Sequence, residues 1–253
     1  MNVKELYLEM EKRIPKTLSE EWDNDGLMCS PDTTQSVKKA ICTLDITEEI
    51  CDYAVEMGVD LIVSHHPLIF KPLSALTEDN HIARKVMKLA AAGISVFSFH
   101  TRADKMGGGV NDILAESLGL IDIIPFGEGG LGRYGSIAEP MSLEDFAYKV
   151  KMQLGTDCLK YADAYNEVSR VCVVGGDGKD FVRDAVKMGA DTYVSGRISY
   201  NMMEEAAEMG INLIEAGHYF TEQPICEMLR EMLLSIDQNL YVEVVSSNLI
   251  KYI

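Results

Sequence analysis

The chain has 253 residues, with 23 Lys and Arg against 40 Asp and Glu, which gives a formal net charge of −17 at pH 7. This acidity disfavours nucleic acid and anionic membrane surfaces as partners, because binding to both depends on Lys and Arg. The longest uncharged run, Leu89–Thr101, has 13 residues, fewer than the roughly 18 that a membrane helix needs. The N-terminus has no apolar signal-peptide core, and we expect a cytoplasmic protein.

Predicted helices and strands alternate along the chain. Helical spacing of apolar residues begins at Val3 and ends at Ile14, before Pro15, and a turn-rich segment, Glu21–Leu27, follows with the only tryptophan. The predicted strands are Ala40–Leu44, Asp60–Ser64, Ile94–Phe99, Val171–Val174, Thr192–Ser195, Asn212–Glu215 and Tyr241–Val245. The further predicted helices are Glu48–Met57, Asn80–Ala92, Val110–Leu118, Leu143–Leu154, Phe181–Met188, Asn201–Met209 and Thr221–Leu234. This alternation indicates βαβ units, and therefore an α/β fold with mainly parallel sheets.

An internal repeat indicates two related halves. Ala54–Ser64 aligns without a gap with Ala185–Ser195, and seven of the 11 positions are identical. Each copy is interpreted as the end of a helix, a glycine cap and a strand, although any two helix–strand units can share such a cap and turn. The glycine-rich stretch Ile121–Gly135 is the predicted boundary, which gives halves at residues 1–125 and 126–253.

Four of the five histidines follow predicted strands. His65 and His66 come directly after one strand, His100 follows the next, and His218 follows a strand in the second half. In open parallel sheets, ligands bind beyond the carboxyl ends of the strands. We therefore expect these strand ends to converge on one site.

Two carboxylates accompany these histidines, because Asp104 follows His100 by four residues and Glu222 follows His218 by four residues. At that spacing His218 and Glu222 share one face of a helix. Imidazole and carboxylate ligands without thiolate suit Zn, Mn, Fe or Ni. The set exceeds what one catalytic zinc needs, and adjacent side chains on extended backbone diverge, which favours two ions. The candidate ligands are His65, His66, Asp104, His218 and Glu222.

Other features have plainer interpretations. We expect His81 to lie on the surface, and we interpret His100 as a partner that holds Asp104 or a bound water, with direct ligation left open. The clusters Gly107–Gly109 and Gly175–Gly178 lack phosphate-binding spacings, and turns with positive φ explain them. The six scattered cysteines predict buried, reduced thiols, and no motif supports covalent nucleophilic catalysis.

Four motifs together resemble one known family. They are Trp22–Leu27, Ser64–Phe70, His100–Asp104 with Gly108–Asp112, and Gly217–Glu222. They are similar to the motifs of the Nif-three-like dinuclear metal-centre family, also named GTP cyclohydrolase 1 type 2 homologues, over essentially the whole chain. The resemblance implies two related α/β halves, a dinuclear metal site in the cleft between them, and assembly of the chain with itself into a ring-shaped hexamer. The family's ligand positions match the five candidate ligands, with Glu222 as the bridge.

The chain departs from the family pattern beside the expected pocket. Arg102 and Ala103 stand where the family often has Asn and Leu, and Arg197 stands where many members have an acidic residue. Tyr200 and Asn201 stand where many members have a Tyr-His pair. These changes put a guanidinium and an amide near the pocket, whereas the metal ligands are kept.

The resemblance implies a metal-dependent hydrolase with two divalent ions per chain. Its expected substrate is a nucleotide or purine-like ring, attacked by a metal-bound hydroxide. His100 is the candidate for proton transfer, and Arg102 and Tyr219 are the candidate substrate contacts. The alternative is a non-catalytic metal-binding assembly or interaction protein that forms a ring oligomer.

Overall fold

The computed structural model describes residues 1–156 and 158–251, which form two compact units. Met1–Ala103 and Ile225–Leu249 make up the first unit, and Asp104–Pro224 makes up most of the second. The helices are α1 (Val3–Arg13), α2 (Glu48–Glu56), α3 (His81–Ala91), α4 (Thr101–Lys105), α5 (Val110–Ser117), α6 (Leu143–Leu154), α7 (Val182–Lys187), α8 (Tyr200–Glu208), α9 (His218–Glu222) and α10 (Ile225–Ile236). The strands are β1 (Gly26–Cys29), β2 (Lys39–Thr43), β3 (Leu61–Ser64), β4 (Ser95–Ser98), β5 (Ile121–Phe126), β6 (Gly132–Met141), β7 (Lys160–Ala162), β8 (Val168–Val174), β9 (Thr192–Ser195), β10 (Asn212–Glu215) and β11 (Tyr241–Val244).

The first unit is built on a five-stranded sheet in the order β1-β4-β3-β2-β11. Strands β4, β3, β2 and β11 are parallel, and β1 pairs antiparallel with β4 at the edge. Side chains of β2, β3 and β4, including Ile41, Ile62 and Val96, share a buried apolar cluster with α2 and α3. Because β2 and β3 are almost entirely buried, their sequences are continuous apolar runs, as is typical of parallel strands.

The second unit contains a six-stranded sheet in the order β5-β6-β8-β9-β10-β7. Strands β8, β9 and β10 are parallel, and the strands on either side of them run antiparallel. Alternate residues of β8 point to opposite faces. Val171 and Val173 join the cluster that contains residues of α5 and α6, whereas Cys172 and Val174 join the cluster that contains residues of α7 and α8. Both faces of this sheet are therefore covered.

The internal repeat is visible in the hydrogen bonds of Asp60 and Asp191. Each aspartate precedes its strand, β3 or β9, and accepts two bonds from consecutive backbone amides of the neighbouring chain segment. Asp60 accepts them from residues 38–39 at 2.8 and 2.9 Å, and Asp191 accepts them from residues 169–170 at 3.0 and 2.9 Å. The prediction of two related α/β halves is confirmed, with the parallel strands β2-β3-β4 corresponding to β8-β9-β10.

The boundaries of the compact units differ from those of the predicted halves, residues 1–125 and 126–253. The first unit ends earlier than predicted, at Ala103, and it also takes in Ile225–Leu249 near the C-terminus. Helix α10 and β11 return to the first unit, because β11 pairs with β2 and covers an otherwise open sheet edge. The glycine-rich stretch Ile121–Gly135 lies within the second unit as most of the antiparallel pair β5 and β6. Its glycines serve close packing, since a Cβ on Gly132 would lie 2.2 Å from the Phe126 ring.

The last predicted helix is interrupted in the structure, and the cysteines differ in burial. The segment predicted as one helix, Thr221–Leu234, is divided into α9 and α10 by Gln223 and Pro224. Cys42, Cys51, Cys172 and Cys226 are buried, as predicted, Cys29 is partly buried and Cys158 is exposed. In the described part of the chain, no helix has both the length and the apolar character needed to cross a membrane.

Candidate metal centre

The first unit brings three histidines together beyond the carboxyl ends of its parallel strands. His65 and His66 continue β3, where their backbone amides donate to the carbonyls of Thr43 and Leu44 at 3.2 and 2.9 Å. His100 lies just beyond β4. The ring centroids of His65 and His66 are 5.0 Å apart, and that of His100 is 5.4 and 5.7 Å from them. The strand order therefore produces the convergence that the sequence predicts for these three residues.

Each of these imidazoles is oriented through its Nδ1 atom. Nδ1 of His65 lies 2.9 Å from the Phe99 carbonyl oxygen, and Nδ1 of His66 lies 2.7 Å from Oδ1 of Asp45. A carbonyl or a carboxylate can only accept a hydrogen bond, so Nδ1 bears a proton in both residues and Nε2 is the atom that could bind a metal ion. Imidazoles oriented in this way through Nδ1 are typical of metal-ligating histidines.

Asp23 orients His100 in the same way. Its carboxylate lies 2.9 Å from His100 Nδ1, and it accepts bonds from the backbone amide and hydroxyl of Thr101 at 3.0 and 2.6 Å. Burial raises the pKa of Asp23, but the hydrogen bonds from His100 and Thr101 outweigh it and lower the pKa to about 2. Asp23 is therefore a permanent anion at neutral pH and a fixed acceptor for His100.

Nitrogen donors of His65, His66 and His100 lie within 4.8 Å of one another, close enough to hold one metal ion. His65 is fully buried, whereas the His66 and His100 side chains are 23% and 19% exposed. His100 is thus within reach of the same metal ion as His65 and His66. Direct ligation by His100 and the proton-transfer role expected from the sequence both fit this position.

The second unit presents its candidate ligands beyond the carboxyl end of β10. Gly217, with a φ of 89°, turns the chain into α9, which begins at His218 and ends at Glu222. Nε2 of His218 lies 2.8 Å from Oε2 of Glu222, and the two side chains are 41% and 7% exposed. The predicted shared helix face is confirmed for this pair.

Glu222 lies in a cradle formed by the glycine-rich loop after β8. A Cβ on Gly176 would lie 2.1 Å from Oε1 of Glu222, and one on Gly175 would lie 3.3 Å from its Cγ. Gly176 has a φ of 63°, as predicted for a turn glycine, whereas Gly178, with a φ of −92°, is needed for space beside Ser195 and Tyr193. This loop is therefore a support for the Glu222 carboxylate rather than only a turn.

Asp104 also belongs to the second unit, at the end of α4. A carboxylate oxygen of Asp104 lies within 4.8 Å of one of Glu222. Asn111 connects this region to the glycine loop, since its amide donates to the Asp104 carbonyl at 3.2 Å and accepts from the Gly175 amide at 2.7 Å. The second unit therefore supplies an imidazole and two carboxylates as candidate ligands.

The sequence profile of the family Duf34/NIF3 (NGG1p interacting factor 3) matches residues 1–252 of the chain. The chain belongs to the Duf34/NIF3 family. This confirms the family predicted from the motifs.

Relatives within Duf34/NIF3 cover most of the chain. A protein of Clostridium perfringens named GTP cyclohydrolase 1 type 2 homolog is 36% identical over 232 residues, which are 89% of this chain and 88% of that protein. A protein of the same name from Lactococcus lactis is 36% identical over 247 residues, 96% of this chain and 95% of that protein.

Solved structures share this fold. Reduced HcgD from Methanocaldococcus jannaschii superposes with a TM-score of 0.84 at 28% identity, covering 96% of this chain and 97% of that one. Protein SA1388 of Staphylococcus aureus superposes with a TM-score of 0.89 at 26% identity, covering 100% and 99%. The mixed α/β architecture is thus shared with both of these solved structures.

Arg102 is fully buried and does not fit its predicted role as a substrate contact. Its guanidinium donates to Asp25 at 3.0 Å, to the Ile14 carbonyl at 2.8 Å and to Glu11. It also lies 4.7 Å from the centre of the Phe99 ring. Because Nε and Nη1 are engaged inside the first unit and the side chain is fully buried, we assign Arg102 to the stability of that unit.

Arg197 and Tyr200, two of the residues expected near the pocket, lie on the surface of the second unit. Arg197 has a side chain that is 73% exposed, and Tyr200 is 72% exposed. Tyr219 is half-buried and packs edge-to-face on Phe220, with ring centroids 5.6 Å apart. His81 begins α3 and is exposed, as predicted. Tyr219 as a substrate contact stays a prediction.

Proposed function

We propose that this Duf34/NIF3 protein is a metal-dependent hydrolase that acts on a nucleotide or a purine-like ring. The observation that carries the proposal is the cluster of three histidines whose Nδ1 atoms all face fixed acceptors. Such anchoring fixes the orientation of the three rings and lowers the entropy lost when they bind an ion. In this proposal the ions are held by His65, His66, Asp104, His218 and Glu222.

The residues of both units fit divalent ions. Their donor atoms are imidazole nitrogens and carboxylate oxygens, a set that suits Zn, Mn, Fe or Ni. The Glu222 side chain is only 7% exposed, and a buried carboxylate is costly unless a positive charge compensates it. Two bound divalent ions would supply that charge, polarise the substrate and lower the pKa of coordinated water.

His100 is the residue we propose for proton transfer. Its Nδ1 atom donates to Asp23, so in this proposal Nε2 is the atom that accepts a proton from a reacting group and returns it later. The Asp23 carboxylate, whose pKa lies at about 2, stays ionised and holds the His100 ring by accepting the bond from Nδ1. Its charge would also stabilise the imidazolium that forms when Nε2 accepts a proton.

The substrate class rests on the relatives. Proteins that are 36% identical to this chain carry the name GTP cyclohydrolase 1 type 2 homolog, and we extend the purine nucleotide of that name to this chain as part of the proposal. We also propose that the chain assembles with itself into a hexamer, as the family resemblance implies.

The test is turnover by the metal-loaded full chain. Purified protein loaded with Zn²⁺ or Mn²⁺ is incubated with purine nucleotides, and the products are separated by chromatography. We expect metal-dependent turnover that falls at least about 100-fold in His100→Gln, within the range for loss of a general acid–base residue, while this variant keeps its metal. The exposed His81→Ala is the matched control and should keep full activity.

Metal retention without turnover of any purine compound would contradict the hydrolase proposal. That result would favour the alternative, in which the ions serve a non-catalytic assembly or interaction protein.

A further inference from the structure

Two large aromatic side chains are exposed beside the histidine cluster of the first unit. Trp22 is 63% exposed and Phe70 is 45% exposed. Their ring centroids are 6.0 Å apart with an angle of 75° between the planes. The His100 ring lies 6.3 Å from that of Trp22 and 6.0 Å from that of Phe70. We call Trp22 and Phe70 the aromatic corner.

The segments that carry these rings are fixed by polar contacts rather than by burial of the rings. The Asn24 amide donates to the Ile69 carbonyl and so joins the Trp22 turn to the Phe70 segment. On one side of Asn24, Asp23 bonds to His100, and on the other the buried Asp25 bonds to Arg102 at 3.0 Å. The backbone beneath the aromatic corner is therefore preorganised although the ring faces meet solvent.

We propose that the aromatic corner binds the planar heteroaromatic ring of the substrate by stacking, beside His100. This inference rests on the proposed function and names the substrate class more closely, as a purine base or its nucleoside. Two nearly perpendicular rings offer a planar ligand one face to stack on and a second ring to meet its edge, both of which are favourable aromatic geometries.

The net charge of the chain favours recognition of a nucleotide through its base ring rather than through its phosphates. The chain has a net charge of −17, which repels a polyanionic ligand at long range. Stacking on aromatic side chains needs no charge, and it contributes substantially for every base because each has a π face. Stacking of a planar ring on Trp22 and Phe70 would account for their exposure although both ring centroids lie within 6.3 Å of that of His100.

Trp22 is the only tryptophan of the chain, so intrinsic fluorescence excited at tryptophan wavelengths reports on the aromatic corner alone. The metal-loaded full chain is titrated with guanosine, GTP and inorganic tripolyphosphate. We expect guanosine and GTP to quench the fluorescence with dissociation constants within about threefold of each other, and tripolyphosphate to leave it unchanged. Quenching by tripolyphosphate and GTP but not by guanosine would overturn the proposal.

Phe70→Leu tests the corner without removing the reporter. It should weaken guanosine binding about 5- to 100-fold, the range that loss of one stacking partner produces, while metal content and molar mass stay unchanged. Tyr165→Leu is the matched control, because Tyr165 is an aromatic residue that is 93% exposed in the second unit, and it should leave the affinity unchanged. Unaltered guanosine affinity in Phe70→Leu would overturn the proposal, and so would a changed molar mass, which would assign the corner to an interface between chains.

The outcomes separate this inference from the hydrolase proposal. Guanosine binding that depends on Phe70, without turnover of any purine compound, would support the aromatic corner and contradict the hydrolase. Turnover of a purine compound, together with a guanosine affinity that Phe70→Leu leaves unchanged, would support the hydrolase and contradict the aromatic corner.

Discussion

The Glu222 carboxylate lies so close to the α-carbon of Gly176 that a Cβ atom there would be 2.1 Å from Oε1 of Glu222. The same Cβ would lie 3.2 Å from Nε2 of His218. We predict that Gly176→Ala displaces the Glu222 carboxylate and lowers the metal content of purified protein by at least half. Metal analysis per chain, together with circular dichroism to confirm folding, checks this.

Gly155→Ala is the matched control for Gly176→Ala. Gly155 has a φ of 62°, close to the 63° of Gly176, but apart from its chain neighbours no atom of the described residues lies within 4 Å of a Cβ built on it. Both variants suffer the same backbone strain, roughly 1 kcal/mol, and only Gly176→Ala meets the carboxylate. Equal metal content in the two variants would show that the glycine cradle does not position Glu222.

Asp45 accepts a hydrogen bond from His66 at 2.7 Å, and removing it should weaken metal binding without touching a ligand. We predict that Asp45→Ala lowers the affinity for Zn²⁺ about 10- to 100-fold, as loss of such a supporting partner typically does. Competition with a chelating dye measures the affinity. Asp52→Ala, which removes a carboxylate that is 69% exposed and paired with Lys88, should leave the affinity at the wild-type value; an equal loss in both variants would point to general charge effects.

Arg102 should matter for stability rather than for substrate binding. Removing the guanidinium takes away one of the two cations paired with the buried Asp25 carboxylate, the other being Lys16. It also removes the bonds to Glu11 and to the Ile14 carbonyl, and breaking a buried ion pair costs about 3–5 kcal/mol. We predict a loss of this size in the free energy of unfolding of Arg102→Met, measured by urea denaturation. Arg197→Met removes a guanidinium that is 73% exposed and should change stability by less than about 0.5 kcal/mol. A loss below 1 kcal/mol in Arg102→Met would contradict the structural assignment.

Much of the fold could be predicted from the sequence because its signals are local. Buried parallel strands such as β3 are apolar runs, and Leu143–Leu154 was predicted with the bounds that the structure shows for α6. The repeat of Asp60 and Asp191 also lies within short segments. The pair β5 and β6 was missed, because its glycines resemble a linker when the partner of Gly132, the Phe126 ring, is unknown.

The proximity of His65, His66 and His100 could be predicted from the sequence, whereas the residues that orient their rings could not. His65 and His66 stand out because two adjacent histidines follow an apolar strand. Asp23, however, lies 77 residues from His100, and only the folded sheet brings them together. Arg102 was misjudged for a related reason, since its position beside the motif residues says nothing about the buried acceptors that surround it.

We propose that the chain holds two divalent ions, with Glu222 as the bridging carboxylate. Glu222→Gln removes the bridging charge at nearly constant volume and leaves the sheet strands untouched. The most direct measurement is metal content per chain by elemental analysis after loading with Zn²⁺ or Mn²⁺ and desalting, with the exposed His81→Ala as control. We predict two ions per chain in wild type and His81→Ala, and well below two in folded Glu222→Gln. Full double occupancy in Glu222→Gln, or loss of metal in His81→Ala, would contradict the proposed role of Glu222 as the bridge between two ions.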